Sequence, residues 1–320
     1  MNQTTKKQHY IWRSYLAPWT NNDSNTGTIM CLRDNKIFPV SLMNIAHENY
    51  FYGIKELSKL ERQIIFEMTI KSVTGRQREA NEGWLNLYCA PFDLADEVVR
   101  FQRTMGFPID RFKIESNQEF KNWNIQYIEN IHSQIESIGM QYMELIRHND
   151  LSFWEIEQSR GEFSFYLCNQ YFRTKRMRDS IILAIAKYKE KNENLKDICP
   201  ENMWLPLSLI FASNVGAHVT HDFSAVLLQT EDRFFLVGDQ PVVNTYSTFN
   251  MLTPPNDMEL FYPITPHTAL ILTTDRKCES GQILKIGAHE VAKYNILEVK
   301  SSREQFFAKD KSHLVAFIDG

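Results

Sequence analysis

The chain has 320 residues, of which 43% are apolar and 12% aromatic, and a formal net charge of −4. That composition supports a sizeable core and excludes a low-complexity chain, and the mild acidity excludes a whole-protein basic footprint for nucleic acid, leaving room only for a local patch. Five scattered cysteines without CxxC spacing point to neither a disulfide framework nor a zinc ribbon. No apolar run is long enough to span a membrane, and the start, MNQTTKKQHY, lacks the apolar segment of a signal peptide. A soluble cytoplasmic protein is expected, with no membrane partner.

In chain order, the first feature is an aromatic-rich opening. His9, Tyr10, Trp12, Arg13, Tyr15 and Trp19 fall within the stretch HYIWRSYLAPW. Termini fray unless tied down, so this one is expected to be ordered, with His9 and Arg13 on one face as either strand or helix. It would serve an anionic site, pair with Asp239, or plug a sheet. GTIMCLRDNKIFPVSL reads as two strands around Asp34-Asn35-Lys36. Four helical segments follow: 53–73, a second from 83 to 105, a long amphipathic one from 121 to 146, and 161–192. ENMWLPLSLIFASNVGA is a further apolar stretch, with Pro206 as an expected interruption.

After about residue 220 the pattern changes to short apolar runs: FSAVLLQT, RFFLVGDQPVV, MELFYPI and TALILTT, with QTEDRFF as a tight hairpin turn. A helix, AHEVAKYNILEVKSSREQFFAKD, and a last strand, HLVAFID, close the chain. The expected class is α+β: a helical middle with long amphipathic helices packed against a mostly antiparallel sheet built from N-terminal and C-terminal strands. Residues 1–320 read as a single large α+β domain, subdivisible into a helical part (50–215) and a β-rich part (9–45 and 220–320).

Several polar residues sit where apolar ones are expected. On a wheel of the 161–192 helix, Gln170 and Thr174 fall inside the apolar stripe, with Arg173 at its border. A buried polar group without a partner costs about 1–3 kcal/mol, so these residues are satisfied core polars or the lining of a polar cavity. RTKRMR adds Arg176 nearby, as a solvated face or a phosphate contact. The buried-looking strand FFLVGDQPVV ends in Asp239, a place for a metal ligand, a general base or a structural ion pair, and Arg173 is the expected counter-charge. In AHVTHDF, the His218, His221 and Asp222 spacing is that of a helix end that caps or holds a metal. The acids of the long helices, with Glu61 and Glu67, are expected on solvated faces.

These segments carry a resemblance. HYIWRSYLAPW, the Gln170–Thr174 stretch QYFRT, GDQPVV, the Pro263–Pro266 stretch YPITP, and Asn295 within AKYNILEVKSSRE follow in order the pattern of a mostly bacterial family classed as a domain of unknown function, family 4238. The chain departs from that pattern at Gly238, where Ser or Thr is usual, and at Gln240, where Asn is usual. The resemblance supplies no chemistry, but it marks His9, Arg13, Gln170, Arg173, Thr174 and Asp239.

Two functions remain open. One is an effector enzyme, a nuclease or a hydrolase of nucleotide or other phosphate substrates, in an accessory or defence system. There His9 and Asp239 are catalytic, while Arg13, Gln170, Arg173, Thr174, Arg176 and Gln240 bind a nucleic acid or nucleotide, with a divalent metal admitted as cofactor. The other is a non-catalytic sensor or protein-interaction module in which Arg, Asp and Gln form a buried structural network.

Overall fold

The computed structural model describes residues 6–107, 109–231 and 233–318. The elements are β1 (Lys7–His9), α1 (Arg13–Leu16), β2 (Thr28–Arg33), β3 (Lys36–Ser41), β4 (His47–Asn49), α2 (Lys59–Thr69), α3 (Gly75–Thr104), α4 (Arg111–Ser116), α5 (Gln118–Arg147), α6 (Glu157–Phe172), α7 (Lys175–Glu190), α8 (Pro200–Asp222), β5 (Ser224–Gln229), β6 (Val237–Gly238), β7 (Val243–Asn244), β8 (Leu260–Thr265), β9 (Thr268–Thr273), β10 (Ile283–Lys285), α9 (Ala288–Ser301), β11 (Phe306–Ala308) and α10 (Ser312–Val315). The fold is α+β. The helices α2, α3, α6 and α7 all pack on α8, whose residues from Met203 to Val219 are largely buried.

Among the described residues, three sheets accompany this layer. β1 pairs antiparallel with β4; β10-β5-β9-β8-β7 form a five-stranded sheet; β3-β2-β11-β6 form a four-stranded one. The pairings are antiparallel except β10 with β5. N-terminal and C-terminal strands share the last sheet because β11 slots between β2 and β6. The turn between β2 and β3 has positive φ at Asp34 and Asn35 (51° and 57°), the twist that a two-residue hairpin needs.

The sequence pattern misplaced several boundaries. The expected helix over 161–192 is two helices. Arg173 leaves helical geometry and Thr174 turns extended (ψ 164°), its hydroxyl accepting the Met177 N–H at 3.4 Å to cap α7. Local capping chemistry overrides the continuous apolar period there. The first expected helix starts only at Lys59, because Ser58 and Glu61 form a capping box. Pro206 does not interrupt α8; Tyr88 Oη stands 3.5 Å from the Asn202 carbonyl that the missing N–H leaves open. FFA is strand β11 and not helix, while HLV is in α10 and not a strand. The expected hairpin QTEDRFF contains Asp232, outside the described residues, and the runs beside it join different sheets.

The opening stretch is built into the core. Tyr10, Trp12, Tyr15 and Trp19 are buried. Trp12 stacks on Tyr166 and Tyr15 on Tyr262, both with ring centroids 4.7 Å apart. Trp19 Nε1 donates to the Phe235 carbonyl at 2.9 Å. Tyr166 is wedged so closely against α5 that a Cβ on Gly139 would lie 1.9 Å from its ring. Gly139→Ala is therefore expected to destabilise the protein by about 1–3 kcal/mol through overpacking, read as a lower Tm; an unchanged Tm would contradict the close approach of α5 to α6.

Candidate functional site

The break between α6 and α7 places Arg173 in the buried interior. Its side chain is 2% exposed. Nε donates to Tyr52 Oη at 2.7 Å and Nη2 to the His9 carbonyl at 2.6 Å. The guanidinium lies 4.4 Å from the Trp12 ring centroid and 5.0 Å from that of Tyr52. Two aromatic faces and a backbone carbonyl thus hold the charge, and among the described residues no carboxylate comes within ion-pairing distance of it. Its third nitrogen, Nη1, is buried without a hydrogen-bond partner among the described residues.

Arg173 borders a polar cavity of about 160 Å³ shared with His9, Trp12, Arg13, Ser14, Asn25, Glu129, His132, Ser133 and Glu136. Three more buried polar atoms of this lining have no partner among the described residues: His9 Nδ1, Glu129 Oε2 and His132 Nε2. A native interior satisfies nearly all such groups, so four around one cavity mark it as a place that takes up water or a polar ligand. His132 Nδ1 donates to Asn169 Oδ1 at 3.0 Å, which leaves the Nε2 lone pair free. Burial, reinforced by the Arg173 charge, holds His132 well below the usual histidine range. His9 is lowered to about 4, by burial first and then by Arg13. Burial pushes the Glu129 carboxyl up, and the Arg173 charge pulls it partly back. The cavity thus offers a cation with a spare donor, a neutral imidazole with a free lone pair, and a carboxyl biased toward its protonated form.

Of the residues singled out in the sequence, His9, Arg13 and Arg173 meet here. His9 comes from β1 and Arg13 from α1, so one cavity wall is shared across two elements. Gln170 is buried behind it; its Nε2 donates to the Tyr10 carbonyl at 3.1 Å. Thr174 and Gln240 bond to each other, and Gln240 Nε2 donates to the carbonyls of Tyr171 and Val242 at 3.1 and 3.0 Å. They lock the β6–β7 crossover onto the helix break. Arg176 donates to the Phe249 and Lys300 carbonyls at 3.1 and 3.4 Å, closing the C-terminal end of α9.

Asp239 lies in a different network. Its carboxylate accepts the N–H groups of Arg303, Glu304 and Gln305 at 2.6, 2.9 and 3.3 Å, and Arg173 makes no ion pair with it. Burial raises its pKa to about 6 while these donors pull it back down. The expected Arg173–Asp239 pairing is absent because rings hold one charge and backbone amides the other. The same region explains Gly238: a Cβ there would sit 2.2 Å from Ser302 Oγ. Asn295 acts as a surrogate strand partner, accepting the Leu236 N–H and donating to the Phe234 carbonyl, both at 2.9 Å.

His218 and Asp222 form an exposed pair at 2.7 Å on the last turn of α8. His221 lines a separate, mostly apolar groove. Among the described residues no group of three or more His, Cys, Asp or Glu is arranged to hold a metal.

A family model described as "Protein of unknown function (DUF4238)" matches residues 7–312. The chain belongs to that family. No curated protein and no solved structure matches it. Within the DUF4238 chain, the opening motif supplies Trp12 and the His9 carbonyl to the Arg173 socket, the QYFRT stretch supplies the helix break, and GDQPVV ties the two larger sheets together.

His132 and Glu129 were missed in the sequence. A signal existed: His132 sits on the buried α5 stripe between Ile128 and Ile135, where an apolar residue is expected. The pattern puts Glu129 on a solvated face with the other helical acids. Glu61, expected on a solvated face as well, is buried, accepting the Ser58 and Cys199 N–H groups at 2.7 and 2.8 Å.

Two outcomes are expected. His9 and His132 have lowered folded-state pKa values, so their contribution to stability is fully present above about 6.5 and is lost as the pH falls toward about 4. Urea unfolding across that range should show a shallower decline for His132→Asn than for the unmodified protein; equal slopes would contradict a buried neutral His132. Asp239→Asn should cost about 1–3 kcal/mol, since an amide cannot accept all three N–H groups; an unchanged Tm would contradict its structural role.

Proposed function

We propose that this chain is a hydrolase whose cavity receives the phosphoryl group of a nucleotide or nucleic-acid end. One observation carries the reading: a buried guanidinium with no carboxylate partner keeps a donor unpartnered beside a polar cavity. Buried cations need an anion, and a planar fork of N–H donors suits phosphate oxygens. The cavity's limited volume suits the phosphoryl group, with the remainder of the ester lying outside past Asn25 and Ser133, both exposed.

In the proposed reaction, Arg173 and Arg13 hold the non-bridging oxygens and offset their charge. His132 Nε2 takes a proton from water as the water oxygen attacks phosphorus. The bond from phosphorus to the ester oxygen breaks, and that oxygen takes the Glu129 proton. The proton on His132 then returns to the Glu129 carboxylate through solvent. The pKa directions favour the competent state, with imidazole neutral and carboxyl protonated, which ordinary values would disfavour. As pH rises past the raised Glu129 value, the general acid loses its proton and the rate falls.

A second reading has its own support. The hydrogen-bonding groups of Asp239 and Gln240 are spent internally, as the sensor or interaction-module reading expects of a structural network. That reading keeps Arg173 as an anion binder and assigns His132 and Glu129 no turnover.

Calorimetric titration with inorganic phosphate, together with release of phosphate or alcohol from nucleotide and aryl phosphates, tests the proposal. The protein should bind phosphate. Glu129→Gln and His132→Gln should keep that binding and lose about 10²–10⁴-fold in kcat, the usual weight of general acid–base catalysis. Arg173→Lys should lose phosphate binding. A folded protein that binds no phosphate would overturn the site, and one that binds without turning over any ester would favour the sensor.

A further inference from the structure

Helix α3 has two apolar faces. Leu85, Tyr88, Cys89, Phe92 and Ala95 are buried against the body, and Ala95 is the last buried residue of the helix. Beyond it, Leu94, Val98, Phe101 and Met105 are 50%, 38%, 62% and 56% exposed. Their spacing of four, three and four places them within an arc of about 60° at 100° per residue, on the side away from the packed face. That is an a/d seam, with Val98 and Met105 at a and Leu94 and Phe101 at d. Phe107 and Phe112, 74% and 71% exposed, extend the apolar surface past the helix end. Exposed apolar surface of this extent and regularity marks an interaction site.

We propose that this seam pairs with the same seam of a second copy of the chain, the two helices running antiparallel about a twofold axis between Val98 and Phe101. That register sets Val98 against Phe101 and Leu94 against Met105 in both directions, the self-complementarity of an isologous contact. The seam's flanks suit two like copies: Ala95, Gln102 and Thr104 are uncharged and Glu97 alone carries charge. Arg100 and Arg103 fall on the opposite side of the helix, so the stripe lacks the cations that an anionic lipid surface would require beside it. Two heptads form a short contact, below the area of a permanent interface, so the dimer is weak and concentration-dependent.

Sedimentation velocity on the full chain, from low-micromolar to near-millimolar concentration, tests this. The expected result is a shift from monomer toward dimer, abolished by Val98→Glu and by Phe101→Glu, with unchanged circular dichroism because both side chains are exposed. A monomer at every concentration would overturn the proposal, as would a dimer that persists in Phe101→Glu. Flotation with phosphatidylserine-containing vesicles that Phe101→Glu abolishes would overturn it in favour of a lipid surface.

Discussion

A single guanidinium joins the three parts of this molecule. Arg173 belongs to the helical layer, Trp12 comes from the opening segment, and Tyr52 follows the β1–β4 ribbon. A desolvated cation over an aromatic face is worth about 2 kcal/mol or more, and here two faces share it. The contact requires the opening segment to enter the core, α6 to stop at Phe172, and Tyr52 to turn inward. Tyr52 Oη returns a hydrogen bond to the Arg173 carbonyl at 3.3 Å, so the residue is fixed at backbone and side chain alike. A charge held this way is desolvated without being neutralised. Burial first, and then that charge, keeps the neighbouring histidines neutral, while burial pushes the Glu129 carboxyl toward its acid against the pull of Arg173.

The second constraint is the Asp239 turn, which supports the first without touching its cavity. Its carboxylate gathers three successive N–H groups after α9, positioning β11 between β2 and β6. Gln240, the next residue, reaches Thr174 and the end of α6. The crossover between sheets therefore holds the helix break that presents Arg173. Glu298 reinforces the same turn by accepting the Gly238 N–H at 2.8 Å from a fully buried carboxyl that burial pushes strongly toward its protonated form.

Much of the fold was legible because it follows periodicity and turn chemistry. The β2–β3 hairpin shows in Asp34-Asn35, the long helices in their apolar stripes, and the change near residue 220 in the switch to short runs. The errors share one cause: local hydrogen bonding that a stripe does not display. Thr174 caps a new helix inside a continuous apolar pattern, and FFA is strand rather than helix because β2 and β6 pair with it on both sides. For the site, burial of Arg173 could be read from its position beside the stripe, and His9 and Arg13 from the aromatic density around them. The partner of Arg173 could not, since a carboxylate in another segment and a pair of rings satisfy the same sequence argument. His132 was obscured for a related reason: a histidine in an apolar stripe reads as core until the empty space beside it is seen.

The central claim is that Arg173 Nη1 is kept free for an incoming anion. The most direct measurement is a crystal structure grown with orthovanadate, a tetrahedral or trigonal-bipyramidal mimic of the phosphoryl group. The account predicts density in the cavity hydrogen-bonded to Arg173 Nη1 and to His132 Nε2, with the rings of Trp12 and Tyr52 unmoved. A cavity without the anion, in which Arg173 Nη1 instead donates to the Glu129 carboxylate, would contradict it.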